Sequence, residues 1–268
     1  MSRVIIRDLS LKRMRKAFTS RFEDIFHLLT WDFSQFSLKN KGLLIEYHNI
    51  HENERCFIVA NGPSIQKTNL GLLQNEFTFG LNRIYLNFQS SSFRPTYYVA
   101  VNELVLQQFN SEIEKLTMPK FLNWNCRSFF KKFDNRLMFL KPKLVFNDYF
   151  ESDLTKPFVF GGTVTFVTLQ LAYFMGFKEV ILVGLDHRYN EKGIPNEKET
   201  RSYEKDASHF HPDYFPKGSQ WQLPDLLRSE IDFSLARAFY EGNNRRIIDA
   251  TIGGNCQVFE KTPYESLF

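Results

Sequence analysis

The sequence predicts an α/β fold: a doubly wound, mostly parallel sheet with an N-terminal amphipathic helix and a long lid segment. Three observations predict it. Short runs rich in β-branched and aromatic residues recur from Cys56 onward, apolar almost throughout, as strands covered on both faces are. Most of these runs close on Asn or Asp at the carboxyl end. Phe160 to Asp186 then spells a glycine turn, a helix, a glycine stop and another strand, the unit from which parallel sheets are built.

In chain order, residues 1–45 stand apart as a basic amphipathic helical extension, and residues 46–268 form the α/β domain. From Leu9 to Thr30, Lys12, Arg13, Arg15, Lys16 and Arg21 are interleaved with Leu11, Met14, Phe18, Phe22, Ile25, Phe26, Leu28 and Leu29 at helical spacing. Such a helix docks on its own domain or on a second copy in a homo-oligomer. Alternatively it lies peripherally on an anionic membrane through residues 9–30.

The run Cys56–Ala60 ends in Asn61-Gly62-Pro63-Ser64. Gly62 can take positive φ, Pro63 fixes its own φ, and Ser64 can cap the next element of the chain. A strand entering such a turn presents backbone N–H groups to a phosphate, although the glycine spacing of a dinucleotide or Walker fingerprint is missing. Thr78–Leu81 runs into Asn82, Tyr97–Val101 into Asn102, Lys120–Leu122 into Asn123, Val180–Leu185 into Asp186, and Arg246–Ile248 into Asp249. Ligands of open α/β sheets bind beyond the carboxyl ends of strands, and Asn offers a donor and an acceptor there. Asn and Asp also favour turns for purely local reasons.

Glu103–Leu116 reads as a helix. Gly161-Gly162-Thr163 opens the next one, Val164 to about Met175, with Thr163 as N-cap, and Gly176 ends it. Backbone N–H groups beside two glycines make a candidate anion site. After Asp186-His187-Arg188-Tyr189 comes a lid, Asn190–Asp225, which contains Ser208-His209-Phe210-His211-Pro212-Asp213-Tyr214-Phe215. His209 is the candidate proton acceptor, and His187 and Tyr214 are candidate substrate contacts. His209 and His211 lack zinc-ligand spacing and a Cys partner, so no metal is expected there. Ser229–Tyr240 reads as a helix with Ile231, Leu235, Ala238 and Phe239 on one face. Arg245–Thr251 is the last strand expected.

The 268 residues, 43% hydrophobic and 16% aromatic, suffice for a sizeable core, and the 29 Phe must be buried or line a groove. A net charge of +4 fits an anionic substrate or membrane surface and is too weak to argue for nucleic acid. Cys56, Cys126 and Cys256 have neither bridge nor ligand spacing, so reduced thiols and a cytoplasmic location are expected. No apolar run approaches the roughly 18 residues of a spanning helix, and no leader h-region is seen.

Phe57–Ser64, Gly80-Leu81-Asn82, Val101-Asn102, Gly161-Gly162-Thr163, Gly184-Leu185-Asp186-His187 and Asp249-Ala250-Thr251 together resemble the MptE-like domain, named after archaeal 6-hydroxymethylpterin diphosphokinases. The same motifs are similar to the central domain of Maf-type flagellin glycosyltransferases and, more distantly, to bacterial CMP-sialic acid-dependent sialyltransferases. The resemblance spans about residues 45–268 and implies a Rossmann-like, sialyltransferase-like fold. It implies nucleotide contacts by Asn61, Gly62, Asn82 and Asn102, a phosphate and sugar side at Gly162-Thr163, and Asp186 beside the nucleotide; Ser64 and Gly161, in the same two turns, are further candidate contacts. The general base it implies is His209 of Ser208-His209-Phe210. This chain departs from the sialyltransferases at Ala60, where they have Gly, and at Phe210, where they have Tyr.

The residues and the resemblance together leave three functions open. The first is a glycosyltransferase that moves a nonulosonate-type acid from a CMP donor to a cell-surface glycan or lipid-linked acceptor, with no cofactor and with peripheral placement at the inner face of the membrane. The second is an ATP-dependent 6-hydroxymethylpterin diphosphokinase using Mg²⁺ held by Asp186. The third is a non-catalytic nucleotide-binding module.

Overall fold

The computed structural model describes residues 25–143, 148–191 and 193–268. The chain divides into two compact units, Met1–Gly42 and Leu43–Phe268. Residues 9–24 of the predicted basic helix lie outside the described residues; residues 25–33 are helical (α1), and α2 spans Gln35–Ile45. Ser34 separates the two helices. Its Oγ accepts from Ser37 N at 3.1 Å, a side-chain cap on the first turn of α2. Ile25, Phe26, Leu28, Leu29, Phe33 and Leu38 of this unit are exposed. Among the described residues no helix is long and apolar enough to cross a membrane.

The second unit is built on an eight-stranded sheet in which every pairing is parallel. Its first six strands are β1 Arg55–Val59, β2 Phe77–Leu81, β3 Tyr97–Ala100, β4 Lys120–Asn123, β5 Leu137–Leu140 and β6 Glu179–Val183. The lid carries an antiparallel hairpin of its own, β7 Lys198–Thr200 with β8 Gln220–Gln222. The large sheet is completed by β9 Arg246–Asp249 and β10 Glu260–Lys261, in the order β10-β9-β6-β1-β2-β3-β4-β5. The runs of β1, β2, β3 and β6 are β-branched or aromatic and almost wholly buried, which is why they read so clearly from sequence. The chain lays β1 to β5 outward in one direction and then returns to add β6 on the other side of β1. Val59 is paired with Gly80 of β2 and with Val183 of β6, so the strand order reverses at β1. Phe57, Phe79, Phe121, Phe139, Phe158 and Phe166 are fully buried, which accounts for part of the phenylalanine excess.

Several elements differ from expectation. β5, β10 and the lid hairpin are additional strands. The helix expected over Glu103–Leu116 is two, α3 Glu103–Gln108 and α4 Asn110–Glu114. They are interrupted at Phe109, which has φ −125° and whose buried ring lies 3.7 Å under the Arg83 guanidinium. α5 is Val164–Phe174, with Thr163 as its cap and Gly176 at φ +97° behind it, as predicted. α6 is Leu226–Gly242, capped by Asp225 and so starting earlier than expected. Its buried face is Ser229, Asp232, Phe233, Ala236 and Tyr240, whereas Ile231 is 45% exposed. The face turns on polar anchors that apolar periodicity does not register: Asp232 accepts from Gly162 N, and Tyr240 OH donates to Leu169 O at 2.7 Å.

Candidate functional site

The carboxyl ends of β1, β2, β3 and β6, at the reversal of strand order, open into a cavity of about 210 Å³. Open α/β sheets take their ligands at such a switch point. Of the predicted residues, Asn61, Gly62, Asn82 and Asn102 line the cavity from the β1 to β3 side. Gly162 and Thr163 line it from the start of α5, Asp186 and His187 from the end of β6, and His209 and Tyr214 from the lid. Ser64 and Gly161 are not on its wall.

The three asparagines meet, but they differ in what they have left to offer. Asn61 Nδ2 donates to Leu81 O at 3.0 Å and ties the ends of β1 and β2 together. Its Oδ1 is buried with no partner among the described residues, and so is Oδ1 of Asn82. A buried acceptor without a donor is costly, so each atom marks a place where a donor from a ligand or a water would be stabilising. Asn82 sits at φ +44° and His187 at φ +52°, two residues held in left-handed backbone at the cavity wall. Asn102 is largely committed. Its Oδ1 caps α3 at Val105 N (3.1 Å), and its Nδ2 reaches Gln222 Oε1 of the lid hairpin (3.3 Å).

The backbone anion cradle differs from expectation. Gly62 N donates to Gly184 O at 2.9 Å and Gly162 N to Asp232 Oδ2 at 2.6 Å, so neither N–H group is free. Both glycines are there for close approach. A Cβ on Gly62 would come 1.9 Å from Asp186 Oδ2, and one on Gly162 would come 2.8 Å from Arg228 Cγ. Gly161, at φ +64°, lets the chain turn tightly against Asp232. The N–H groups of Asn61 and Thr163 make no bond among the described residues and remain for an anion.

Asp186 accepts from Ser64 N (3.1 Å) and from Ser64 Oγ, which fastens the Gly62-Pro63-Ser64 turn to the end of β6. Burial pushes its carboxyl above the usual value, although the Ser64 bonds oppose the shift. The other carboxylate on the wall, Asp225, caps α6 through Arg228 N at 2.9 Å and accepts from Asn196 Nδ2 at 3.1 Å. Mg²⁺ prefers one or two carboxylates with free oxygens beside the phosphates. Both wall carboxylates already hold the fold, and no group of three metal-ligating side chains occurs among the described residues. All four oxygens of these two carboxylates already accept a hydrogen bond, which disfavours Mg²⁺ at this wall.

On the lid side, His209 Nδ1 lies 2.9 Å from Asp206 Oδ2, a carboxylate with no exposed side-chain surface. The imidazole stacks on Tyr214, centroids 3.9 Å apart and planes 3° apart, with Phe215 and Tyr189 at its edges. Tyr214 is itself fixed by Arg83, whose guanidinium donates to Asp213 O (2.8 Å) and to Tyr214 O. The lid turn docks directly on the strand-end motif, because Phe210 N donates to Asn61 O at 3.0 Å. Tyr214, predicted as a substrate contact, is 1% exposed and serves chiefly as the platform for the imidazole.

Sequence reading missed three contributors. Asp206 stands three residues before His209, a spacing that could have flagged it. Arg83 follows the strand-end Asn82. Arg188 lies on the cavity wall, is exposed, and has no carboxylate partner among the described residues. Its +1 charge beside Asp186 is the natural counter-charge for an anionic ligand.

The family model described as 6-hydroxymethylpterin diphosphokinase MptE-like matches residues 35–192. Among solved structures, the Maf glycosyltransferase from Magnetospirillum magneticum AMB-1 is similar, with a TM-score of 0.51 at 13% identity over 85% of this chain and 38% of that chain. At that identity the likeness is one of fold, and this chain spans well under half of that protein's length. No curated protein matches the sequence.

Proposed function

The chain belongs to the MptE-like family, and from that premise we propose that it is a glycosyltransferase using a nucleotide-activated sugar. The observation that carries the reading is the His209 imidazole, tied at Nδ1 to a buried carboxylate and set in the wall of a cavity that is also lined by Asn61 and Asn82, each with a buried, unpartnered amide oxygen. A nucleoside with N–H and O–H donors satisfies Asn61 Oδ1 and Asn82 Oδ1. Arg188 and the free N–H groups of Asn61 and Thr163 suit the phosphate. His209 Nε2 takes the proton from the acceptor hydroxyl, whose oxygen attacks the anomeric carbon. The bond from that carbon to the donor phosphate breaks, the electron pair leaves with the nucleotide, and the anomeric configuration inverts. The donor we favour is a CMP-linked nonulosonate-type acid, and the acceptor a cell-surface or lipid-linked glycan.

The family description also carries a diphosphokinase reading, in which ATP would need a metal between its phosphates. The engagement of Asp186 and Asp225 in holding the fold argues against it. A thermal-shift panel of CMP, CDP, UDP, ATP and pterin, with and without Mg²⁺, separates the two, followed by a CMP-release assay on CMP-sugars. At about 100 times its dissociation constant a ligand adds about 2.7 kcal/mol of stability. Metal-independent stabilisation by CMP is expected; stabilisation by ATP that requires Mg²⁺ would reject the transferase.

A further inference from the structure

We propose that Asp206 is the positioning residue of this site: it fixes the proton of the neutral His209 imidazole on Nδ1 and so leaves the lone pair on Nε2, the other nitrogen of a ring that lines the cavity. The inference deepens the transferase reading and rests on it for the use made of that lone pair.

An ionised carboxylate only accepts, so at 2.9 Å from Asp206 Oδ2 the imidazole must present Nδ1–H. The second oxygen is held from the other side. Oδ1 accepts from Ser208 N at 2.9 Å and His209 N at 3.1 Å and pairs with Arg201 Nη2 at 3.3 Å. Burial alone would push the Asp206 carboxyl up, but its bond to His209, the positive charge of that ring when protonated, the charge of Arg201 and the Ser208 N–H bond together outweigh burial and hold it below the usual range. Arg201 is clasped in turn by Glu191, which also accepts from Ser208 Oγ at 2.6 Å, and its guanidinium lies over the Trp221 ring. Ring tilt is set independently by the parallel Tyr214 beneath. Tautomer and orientation are thus fixed by separate contacts before any ligand arrives. A positive imidazole, once formed, would face a fixed negative charge.

The same geometry makes a sharp test. In Asp206→Asn, the two backbone N–H groups and Arg201 keep the amide oxygen at the Oδ1 position, so the NH₂ group must face His209. It can only donate to Nδ1, which forces the imidazole proton onto Nε2 and blocks the base. Expected from ¹⁵N NMR of the imidazole is the Nδ1–H tautomer in the wild type and inversion to Nε2–H in Asp206→Asn. In the CMP-release assay kcat should fall about 10²- to 10⁴-fold with KM within about twofold. Asp206→Glu restores an acceptor and should return the Nδ1–H tautomer and part of kcat. An Nε2–H tautomer in the wild type overturns the proposal. So does a kcat that ignores inversion, or an Asp206→Glu enzyme with the native tautomer and no recovered rate. Because the NMR readout needs no turnover, a chain that consumed no nucleotide sugar would sink the transferase reading while tautomer inversion still supported the role of Asp206.

Discussion

Gly62 and the asparagines around it define what each residue contributes at the strand ends. Gly62 has an ordinary φ of −69°, so its lack of a side chain matters for space and not for backbone freedom. Gly62→Ala would drive a methyl into the Asp186 carboxylate and Gly184 O, and should cost about 2–4 kcal/mol in urea unfolding. Gly242→Ala, at the end of α6 with nothing within 4 Å, should be neutral or stabilise by up to about 1 kcal/mol in the same assay. Asn61→Ala and Asn102→Ala make a second contrast. Asn61→Ala removes one structural bond and Asn102→Ala two, each worth about 1 kcal/mol. Only Asn61→Ala also removes an unpartnered acceptor, so calorimetry should find nucleotide binding weakened about tenfold or more there and nearly unchanged in Asn102→Ala. The sequence identified these amides as a rim because strand-end position is local information. Which amide atoms remain free depends on Leu81 O, Val105 N and Gln222, and no spacing rule reveals those partners.

At the level of elements, legibility followed strand chemistry more than burial. β1, β2, β3 and β6 are dense apolar runs, and the α5 boundaries are marked by Thr163 and Gly176. β5 is apolar and buried, but it has no β-branched residue and no Asn or Asp closes it, while β10 has two residues and the lid hairpin is polar, so none of them gives a clear strand signal. The lid is a folded element with a charged interior, and this has a consequence in acid. Asp206 and Glu191 both titrate below their usual values in the folded chain. A carboxylate lowered on folding stabilises the fold fully above its unfolded pKa, about 4, and that contribution is lost as the pH falls through the lowered folded value. The lid should therefore loosen below about pH 4. Trp221, stacked with Arg201 and close to Phe215, reports it by fluorescence, isolated by difference against Trp221→Phe. In Asp206→Asn the part of this acid transition that belongs to Asp206 should vanish. An unchanged profile would show that the ion cluster does not hold the lid.

For the whole molecule, the reversal of strand order at β1 brings residues 61, 82, 102, 186 and 209 into one cavity although they are spread over much of the chain. The strand-end Asn and Asp residues, with the family resemblance, make that gathering readable; strand order itself is a non-local property that a single sequence does not display. The N-terminal unit poses the remaining question, because it exposes Phe26, Leu29 and Phe33 next to a sequence stretch carrying Lys12, Arg13, Arg15, Lys16 and Arg21. Exposed apolar side chains beside clustered cations suit the interface of an anionic bilayer, where each cation contributes about 1 kcal/mol near the surface. A transferase acting on a lipid-linked acceptor would gain from being held there. The chain should co-sediment with phosphatidylserine-containing vesicles and far less with neutral ones. Raising the ionic strength from about 0.15 to about 1 M, which shortens the screening length from about 8 to about 3 Å, should release most of it. Phe26→Ser with Phe33→Ser should weaken the salt-resistant remainder. If these changes left vesicle binding intact while altering the sedimentation coefficient of the free protein, the apolar face would belong to a second copy of the chain and not to a membrane.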